Sequence, residues 1–265
     1  MADPILRVAG VTKRFGGVVA VNNVSFAVER HSITAVIGPN GAGKTTLFSA
    51  ISGFRAADEG TVTFDGTDIT HARADEVAQR GLIRTFQLVR LFRQMSVLDN
   101  VRVGLYSQTR GGFAAAVLRP AWFRDQERRG IDEARAVLDK VGLLDQENAE
   151  ASTLTYGQQR LLEVARALAA KPKLLLLDEP AAGLNRTESD NLATLICKIR
   201  DGGTTVLFVE HDMSLVMRVA ETIHVLDFGQ YIAHGTPAEV KTNPAVLKAY
   251  LGDISQPVAL KADMI

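Results

Sequence analysis

The chain has 265 residues, of which 46% are hydrophobic and 23% are charged, a composition typical of globular proteins. Thirty Lys and Arg residues balance thirty Asp and Glu residues, so the chain lacks the basic field of polyanion binders and we expect no nucleic-acid partner. No segment reaches the ~18 consecutive apolar residues of a membrane-spanning helix, and the one cysteine, Cys197, is expected to be buried in a protein of a reducing compartment.

The N-terminal third predicts short strands in alternation with helices. Runs rich in β-branched residues and broken by glycines or polar turns predict the strands. These strands are expected over residues 5–8, 24–28, 32–37, 61–64 and 82–86. Apolar residues at helical spacing predict a helix after Lys44 that ends at Gly53, and a polar helix is predicted over residues 74–80.

The rest of the chain predicts more helix and a parallel sheet. Residues 96–141 are expected to be mainly helical, with Ser96 and Asp99 as cap residues and a loop or loosely ordered insertion over residues 109–120. Beyond them helices alternate with strands, and this order predicts a parallel sheet. The helices are expected over residues 156–169, 187–200 and 245–251, and the strands over residues 173–177 and 204–209.

A phosphate-binding loop is predicted between a strand and the helix that follows it. The pattern G-x-x-x-x-G-K-[ST] is matched by the run Gly38, Pro39, Asn40, Gly41, Ala42, Gly43, Lys44 and Thr45. Its backbone N–H groups and the following helix N-terminus can point at phosphate oxygens. Lys44 would reach the β- and γ-phosphates of ATP, Thr45 offers a hydroxyl to Mg²⁺, and Thr46 is placed near the α-phosphate. The alternative is a glycine turn beside a surface lysine.

Two carboxylates stand at the end of an apolar run. A buried parallel strand over residues 173–177 would deliver Asp178 and Glu179 to the carboxyl edge of the sheet, where ligands bind in open α/β sheets. Asp178 suits a water-mediated hold on Mg²⁺, and Glu179 can polarise a water for attack on the γ-phosphate. The alternative is a helix start with solvated charges.

Further motifs resemble those of one family, the ATP-binding cassette (ABC) ATPases. Its signature motif is similar to the run Leu154, Thr155, Tyr156, Gly157, Gln158, Gln159 and Arg160. Gln87 follows a predicted strand upstream, and His211 follows the last predicted strand, in the order that this family has. Without that order, Gln87 reads as a surface amide and His211 as a helix cap.

The resemblance implies an α/β fold of the phosphate-loop NTPase class, of ABC ATPase type. We expect a mixed sheet core with an antiparallel β subdomain and a helical signature subdomain over about residues 88–168. A single nucleotide-binding domain would cover residues 1–252, followed by a C-terminal tail over residues 253–265. The enzyme would be an ATPase with ATP and Mg²⁺ as its ligands.

The resemblance also assigns roles to individual residues. Phe15 would stack on adenine with Val21 nearby, although Phe15 also reads as an ordinary core residue. Gln87 would contact Mg²⁺ and the attacking water, and His211 would hold the γ-phosphate. Two such domains would pair head to tail, and each nucleotide would lie between one phosphate loop and the partner's signature turn. In that turn, the residues that bind nucleotide would be Thr155, Gly157 and Gln158.

Three positions depart from the common family pattern. Thr155 replaces Ser in the signature and keeps a hydroxyl, whereas Tyr156 replaces Gly and adds bulk at the interface. Asn185 stands where the family commonly has Asp, which removes a carboxylate from the dimer seam and puts the cross-subunit contact of that loop in doubt.

Within this family, the chain is similar to the ATP-binding subunits of bacterial branched-chain amino acid importers. Tyr156, the segment 181–185, the helical insertion around residues 105–130 and the C-terminal segments 235–239 and 243–252 fit that branch. The implied partners are a second ATPase, expected to be a different paralogue with a homodimer possible in isolation, two membrane permeases and a periplasmic binding protein. The implied location is the cytoplasmic face of the inner membrane, as a peripheral subunit.

Three other functions stay open at this level. A urea or amide importer would look much alike, because nothing in this chain touches the cargo. A soluble clamp that remodels ribosomes or DNA usually fuses two cassettes or inserts a long coiled coil, and here one phosphate loop is present. A phosphoryl-transfer kinase would use the same loop but should lack the signature motif.

Overall fold

Two β-sheets organise the molecule, which a computed structural model describes over residues 3–105 and 120–251. The strands are β1 (Leu6–Phe15), β2 (Val18–Val28), β3 (Ile33–Ile37), β4 (Glu59–Phe64), β5 (Thr67–Asp68), β6 (Leu82–Arg84), β7 (Leu174–Asp178), β8 (Thr205–Val209), β9 (Thr222–Asp227) and β10 (Gln230–Gly235). The α-helices are α1 (Lys44–Ile51), α2 (Ala74–Gln79), α3 (Val97–Leu105), α4 (Ala121–Val141), α5 (Tyr156–Ala169), α6 (Arg186–Asp201), α7 (Met213–Val219), α8 (Pro237–Thr242) and α9 (Pro244–Leu251).

The larger sheet carries the ends of the strands that build the site. Its order is β10-β9-β3-β8-β7-β6, parallel throughout except for the antiparallel edge strand β10. Every residue of β3, β7 and β8 is buried, which is why these strands read as continuous apolar runs. The predicted parallel sheet is therefore confirmed, and the carboxyl ends of β3, β7 and β8 lie side by side.

The smaller sheet is antiparallel, in the order β2-β1-β4-β5. Its strands β1 and β2 are 10 and 11 residues long, so the predicted short strands over residues 5–8 and 24–28 were each less than half of the real element. Register shifts along the pair, one of them beside Gly10 with its φ of 62°, break the alternation of apolar and polar residues. That broken pattern is the reason the sequence underestimates both strands.

The helices α3, α4 and α5 pack together on one side of the larger sheet. Their shared core contains the buried side chains Val101, Ala134, Leu138 and Leu162. Ser96 begins α3 as predicted, because its hydroxyl accepts a hydrogen bond from Asp99 N at 3.0 Å and donates one to Asp99 Oδ2 at 2.8 Å. Residues 106–119, which include all but the last residue of the loop predicted over residues 109–120, lie outside the described residues. Residues 252–265, which include the predicted tail over residues 253–265, also lie outside them.

Several elements differ from the sequence-based expectation. The hairpin of β9 and β10 was not predicted, because His224 interrupts the apolar run of β9. The helices α7 and α8 were not predicted, because each is too short to show a clear period. Strand β6 ends at Arg84 rather than at residue 86. Cys197 is half-buried, not buried, since it lies at the edge of the core on α6. Within the part of the chain that the structure describes, we find no helix with the length and apolar character to cross a membrane.

A buried histidine joins the two sheets. His224 on β9 is 5% exposed, packs against Phe26 of β2 with ring centroids 4.8 Å apart, and places Nδ1 2.7 Å from the Tyr231 hydroxyl. Burial, with the nearby His234 as a second cause, lowers the pKa of His224 to about 4, and burial raises the pKa of Tyr231 to about 12. The folded protein therefore holds His224 in its neutral form.

We predict that this histidine makes the protein sensitive to acid. An unfolded histidine titrates near pH 6.5, so between about pH 6.5 and about pH 4 the unfolded chain binds more protons than the folded chain. As the pH is lowered from about 6.5 to about 4, the free energy of unfolding should therefore decrease, by about 3 kcal/mol from this residue alone. Urea unfolding of the parent chain and of His224→Gln should show that the variant loses this part of the pH dependence. Parallel pH profiles for the two proteins would contradict the prediction.

Candidate functional site

The phosphate loop leaves the end of β3 and enters α1. The N-cap of α1 is Gly43, whose φ is 94°, and no side chain caps the helix. A Cβ at Gly43 would lie 2.3 Å from the Ala20 carbonyl oxygen, and one at Gly38 would lie 2.1 Å from that of Leu226. Glycine is thus required at both ends of the loop by close backbone approach. The uncapped N–H groups of α1 form the kind of helix terminus that binds anions.

Lys44 lies beneath this loop. Its ammonium donates hydrogen bonds to the carbonyl oxygens of Gly38 at 2.7 Å and Pro39 at 2.9 Å, and the residue is 6% exposed. Burial lowers the pKa of Lys44, and the carboxylates of Glu179, Asp178 and Glu210 act in the opposite direction. The lysine therefore stands in the field of three acidic groups.

Asp178, at the end of β7, is 1% exposed and forms a buried ion pair. Arg84 Nη2 donates to Asp178 Oδ2 at 2.7 Å, while Arg84 Nη1 donates to the hydroxyls of Ser49 at 3.2 Å and Ser52 at 3.1 Å. Asp178 Oδ1 is buried without a hydrogen-bond partner. Burial rules out the solvated helix start that the sequence left open for Asp178, and the unpaired oxygen is a suitable acceptor for a water of a hydrated cation.

Glu179 follows Asp178 and meets two other predicted residues. Its φ is 48°, and its backbone N–H donates to the Val209 carbonyl at 3.0 Å, which holds the chain beside the end of β8. Gln87 Nε2 donates to Glu179 Oε2 at 2.9 Å, and His211 Nδ1 lies 3.8 Å from the same oxygen. The structure therefore brings Gln87, Glu179 and His211 together at the carboxyl edge of the sheet.

Phe15 and Val21 lie on the hairpin of β1 and β2. The Phe15 ring is 40% exposed, with the cationic groups of Arg55 and Lys13 5.3 Å and 5.8 Å from its centroid. The alternative interpretation, in which Phe15 is an ordinary core residue, is therefore wrong. Val21 is buried against the loop, since a Cβ at Gly43 would lie 3.4 Å from Val21 Cγ2.

The signature turn begins α5. The Thr155 hydroxyl caps the helix by accepting from Gln158 N at 3.3 Å, and Gln158 Oε1 accepts from Thr155 N at 3.0 Å. Thr155 and Tyr156 are exposed, while Gly157 is buried beneath the Glu188 carboxylate, which a Cβ on Gly157 would approach to 2.3 Å. The turn is therefore exposed on one side and supported by Glu188 on the other.

Two of the departures from the family pattern have structural explanations. The Tyr156 ring packs against Gly183, where a Cβ would lie 2.9 Å from Tyr156 Cε1, and Arg160 covers the ring at 5.6 Å. Asn185 is the N-cap of α6, with Oδ1 accepting from Glu188 N at 3.0 Å and its own N–H donating to Glu188 Oε2 at 2.9 Å. The Tyr156 ring thus occupies space that is free because residue 183 is a glycine, and Asn185 serves as a helix cap.

Sequence reasoning missed three charged residues that support the site. Arg84 pairs with Asp178, as described above. Arg160, 4% exposed, donates to the Phe86 carbonyl at 2.9 Å and also to that of Gln87. Glu210 accepts backbone N–H groups at the end of β8. Of these three residues, Glu210 could have been found from the sequence. It follows the apolar strand β8, just as Asp178 ends the apolar strand β7.

Comparison with known proteins gives consistent matches. A model of the ABC transporter family matches residues 21–182, and a model of the branched-chain amino acid ATP-binding cassette transporter matches residues 232–254. The chain is 44% identical to the high-affinity branched-chain amino acid transport ATP-binding protein LivG of Salmonella typhimurium, over 96% of this chain and 100% of LivG.

Solved structures of similar fold are also ATP-binding cassettes. The ADP conformation of one cassette from an ABC transporter superposes with a TM-score of 0.83 and 32% identity, over 95% of this chain and 100% of the other. The dimeric structure of a bacterial ABC transporter cassette has a TM-score of 0.75 and 25% identity, over 88% of this chain and 98% of the other. The fold expected from the sequence is thereby confirmed.

We predict that the pair of Arg84 and Asp178 is necessary for stability. Replacing Arg84 by Met leaves the Asp178 carboxylate buried and unpaired, which should cost about 3–5 kcal/mol in the free energy of unfolding. Urea denaturation measures this loss. Arg80→Met is the matched control, because Arg80 is exposed at the end of α2, and it should change stability by no more than about 0.5 kcal/mol. Equal stability of the two variants would show that the ion pair contributes nothing.

Proposed function

The chain belongs to the ABC transporter family, and we propose that it is the ATP-hydrolysing subunit of a branched-chain amino acid importer. The observation that supports hydrolysis most directly is the contact of Glu179 with Gln87 beside His211, at the edge where the phosphate loop opens. The importer assignment is supported by the match over the C-terminal residues 232–254 and by full-length similarity to LivG.

Nucleotide binding would replace contacts that the loop now makes with itself. Lys44 donates to the carbonyl oxygens of Gly38 and Pro39, and the phosphates of ATP would offer it oxygens of higher charge. The backbone N–H groups of the loop and of the α1 N-terminus would hold the same phosphates. We assign this binding role to all residues from Gly38 to Thr46, with Phe15 and Val21 at the adenine.

Hydrolysis would use Glu179 as the general base. Its carboxylate would accept a proton from a water that attacks the γ-phosphorus in line with the leaving ADP oxygen. Gln87 donates to this carboxylate and would orient the water, and His211, whose Nδ1 lies 3.8 Å from the same carboxylate oxygen, would donate to a γ-phosphate oxygen. The partner's Thr155, Gly157 and Gln158 would cover the nucleotide, because the exposed signature turn and the uncapped loop are both anion sites.

The residues present also fit Mg²⁺. Within the described residues no cluster of three or more His, Cys, Asp or Glu side chains could hold a metal, and Mg²⁺ is usually held by one or two protein groups together with substrate phosphates. Thr45, Asp178 through its unpaired Oδ1, and Gln87 would hold it. When bound, the ion would neutralise charge on the β- and γ-phosphates.

The proposed assembly follows from the family. We expect a second ATPase subunit, two permeases and a periplasmic binding protein, with this chain on the cytoplasmic face of the bacterial inner membrane. A paired arrangement is supported by the dimeric cassette of similar fold. The single domain over residues 1–252, its helical subdomain over about residues 88–168 and the tail remain part of the proposal.

We predict that Glu179→Gln binds ATP but hydrolyses it at least ~100-fold more slowly than the parent chain, because the attacking water loses its base. The variant should accumulate as an ATP-bound dimer, which size-exclusion chromatography with light scattering detects. Lys44→Ala is the control for binding, and titration calorimetry should show that it binds ATP more weakly. Unchanged turnover in Glu179→Gln would exclude Glu179 as the base.

We also predict that the chain powers uptake of branched-chain amino acids. Reconstituted in proteoliposomes with the permeases and the binding protein of the same system, it should drive ATP-dependent accumulation of labelled leucine, and the Glu179→Gln complex should not. Accumulation of urea or an amide in place of leucine, isoleucine and valine would contradict the cargo. ATP hydrolysis without any association with permeases would contradict the importer assignment.

A further inference from the structure

A buried carboxylate links the loops that follow β7 and β8. Glu210 is 0% exposed and accepts three backbone N–H groups. Oε1 accepts from Ala181 N at 2.7 Å, and Oε2 accepts from His211 N at 3.0 Å and from Asp212 N at 3.2 Å. The first donor lies in the loop that contains Glu179, and the other two lie in the loop that contains His211.

These contacts hold the two loops whose side chains Glu179 and His211 face each other. Glu179 stands two residues before Ala181 and is already tied to β8 through its hydrogen bond to the Val209 carbonyl. His211 lies between the Glu210 acceptor and Asp212, which caps α7 by accepting from Ser214 N at 2.9 Å. His211 Nδ1 is 3.8 Å from Glu179 Oε2 and also 3.8 Å from Glu210 Oε2.

We propose that Glu210 is a positioning residue that sets the Glu179 carboxylate and the His211 imidazole at their working separation. Its proposed role is exerted through the backbone N–H groups of both loops, and no contact with nucleotide or water is assigned to it. The proposal rests on the ATPase function proposed above and adds a residue to which no role has been assigned there.

A carboxylate suits this position better than an amide. Its two oxygens both accept, so the N–H groups on either side are satisfied at once. A glutamine of the same shape has one accepting oxygen, and its NH₂ group would face either Ala181 N or the N–H groups of His211 and Asp212. One loop would then lose its acceptor in a buried site, where an unsatisfied N–H is costly, and that loop would shift.

Glu210→Gln tests the proposal. We expect kcat for ATP hydrolysis to fall on the order of 10- to 100-fold, because small displacements of catalytic groups have effects of that size. The KM for Mg·ATP should not rise and the ATP affinity from calorimetry should not fall, since the contacts of the phosphate loop are unchanged and the substitution removes a negative charge from the field of Lys44. Val240→Ala is the control for lost stability, because Val240 is 1% exposed and lies on α8, a helix that carries no residue assigned to the site. It should lower the melting temperature without lowering kcat.

A double-mutant cycle separates positioning from a purely structural role. Because Glu210 is proposed to set the separation of Glu179 from His211, Glu210→Gln should lower kcat by a smaller factor in a His211→Ala background than in the parent chain. Fully additive losses would overturn the proposal. So would a Glu210→Gln protein with parental kcat, while Glu179→Gln is inactive, and in that case the ATPase function stands. A parent chain that neither binds nor hydrolyses ATP would overturn both.

Discussion

The parallel pairing of β3 with β8 and of β8 with β7 is the constraint on which the rest of the structure depends. These strands are buried along their whole length, so their register is fixed by the core on both faces. Their carboxyl ends therefore deliver the phosphate loop, the pair of Asp178 and Glu179, and the pair of Glu210 and His211 to one edge. Residues far apart in the chain become neighbours because the register of these three strands is fixed.

That edge concentrates charge in a poorly solvated place. Asp178 and Glu210 are buried, Glu179 is largely buried, and the cations among them are Lys44 and Arg84. Each acidic group has a different partner: a guanidinium contacts Asp178 Oδ2, backbone N–H groups contact Glu210, and the Gln87 amide contacts Glu179. The charges are thus held in place before any ligand arrives, and a triphosphate would meet oriented donors instead of mobile side chains.

The signature turn is connected to the same loops by packing. Tyr156 lies against Gly183 and Gly157 lies beneath Glu188, so the turn that would cover a partner's nucleotide rests on the segment that follows Glu179. Arg160, one turn into α5, donates to the carbonyl oxygens of Phe86 and Gln87. Contacts within one chain therefore connect the segments of Glu179 and Gln87 with the signature turn. The two unusual residues Tyr156 and Asn185 take part in this support rather than weakening it.

The sequence by itself determined the class of fold, the phosphate loop and the acidic strand end. The last two are local patterns, a glycine-rich loop before Lys44 and an apolar run before Asp178, whereas the fold class followed from the alternation of helices with strands and from the order of the family motifs. Only the tertiary structure decided that Arg84 neutralises Asp178, that Asn185 caps a helix, and that Glu210 joins two loops. Those partners come from separate strands and loops, and nothing in the spacing of residues along the chain says which N–H or guanidinium a buried carboxylate will meet. The sequence also did not predict the lengths of β1 and β2. Their bulges are set by the pairing between the strands and not by the sequence of either strand.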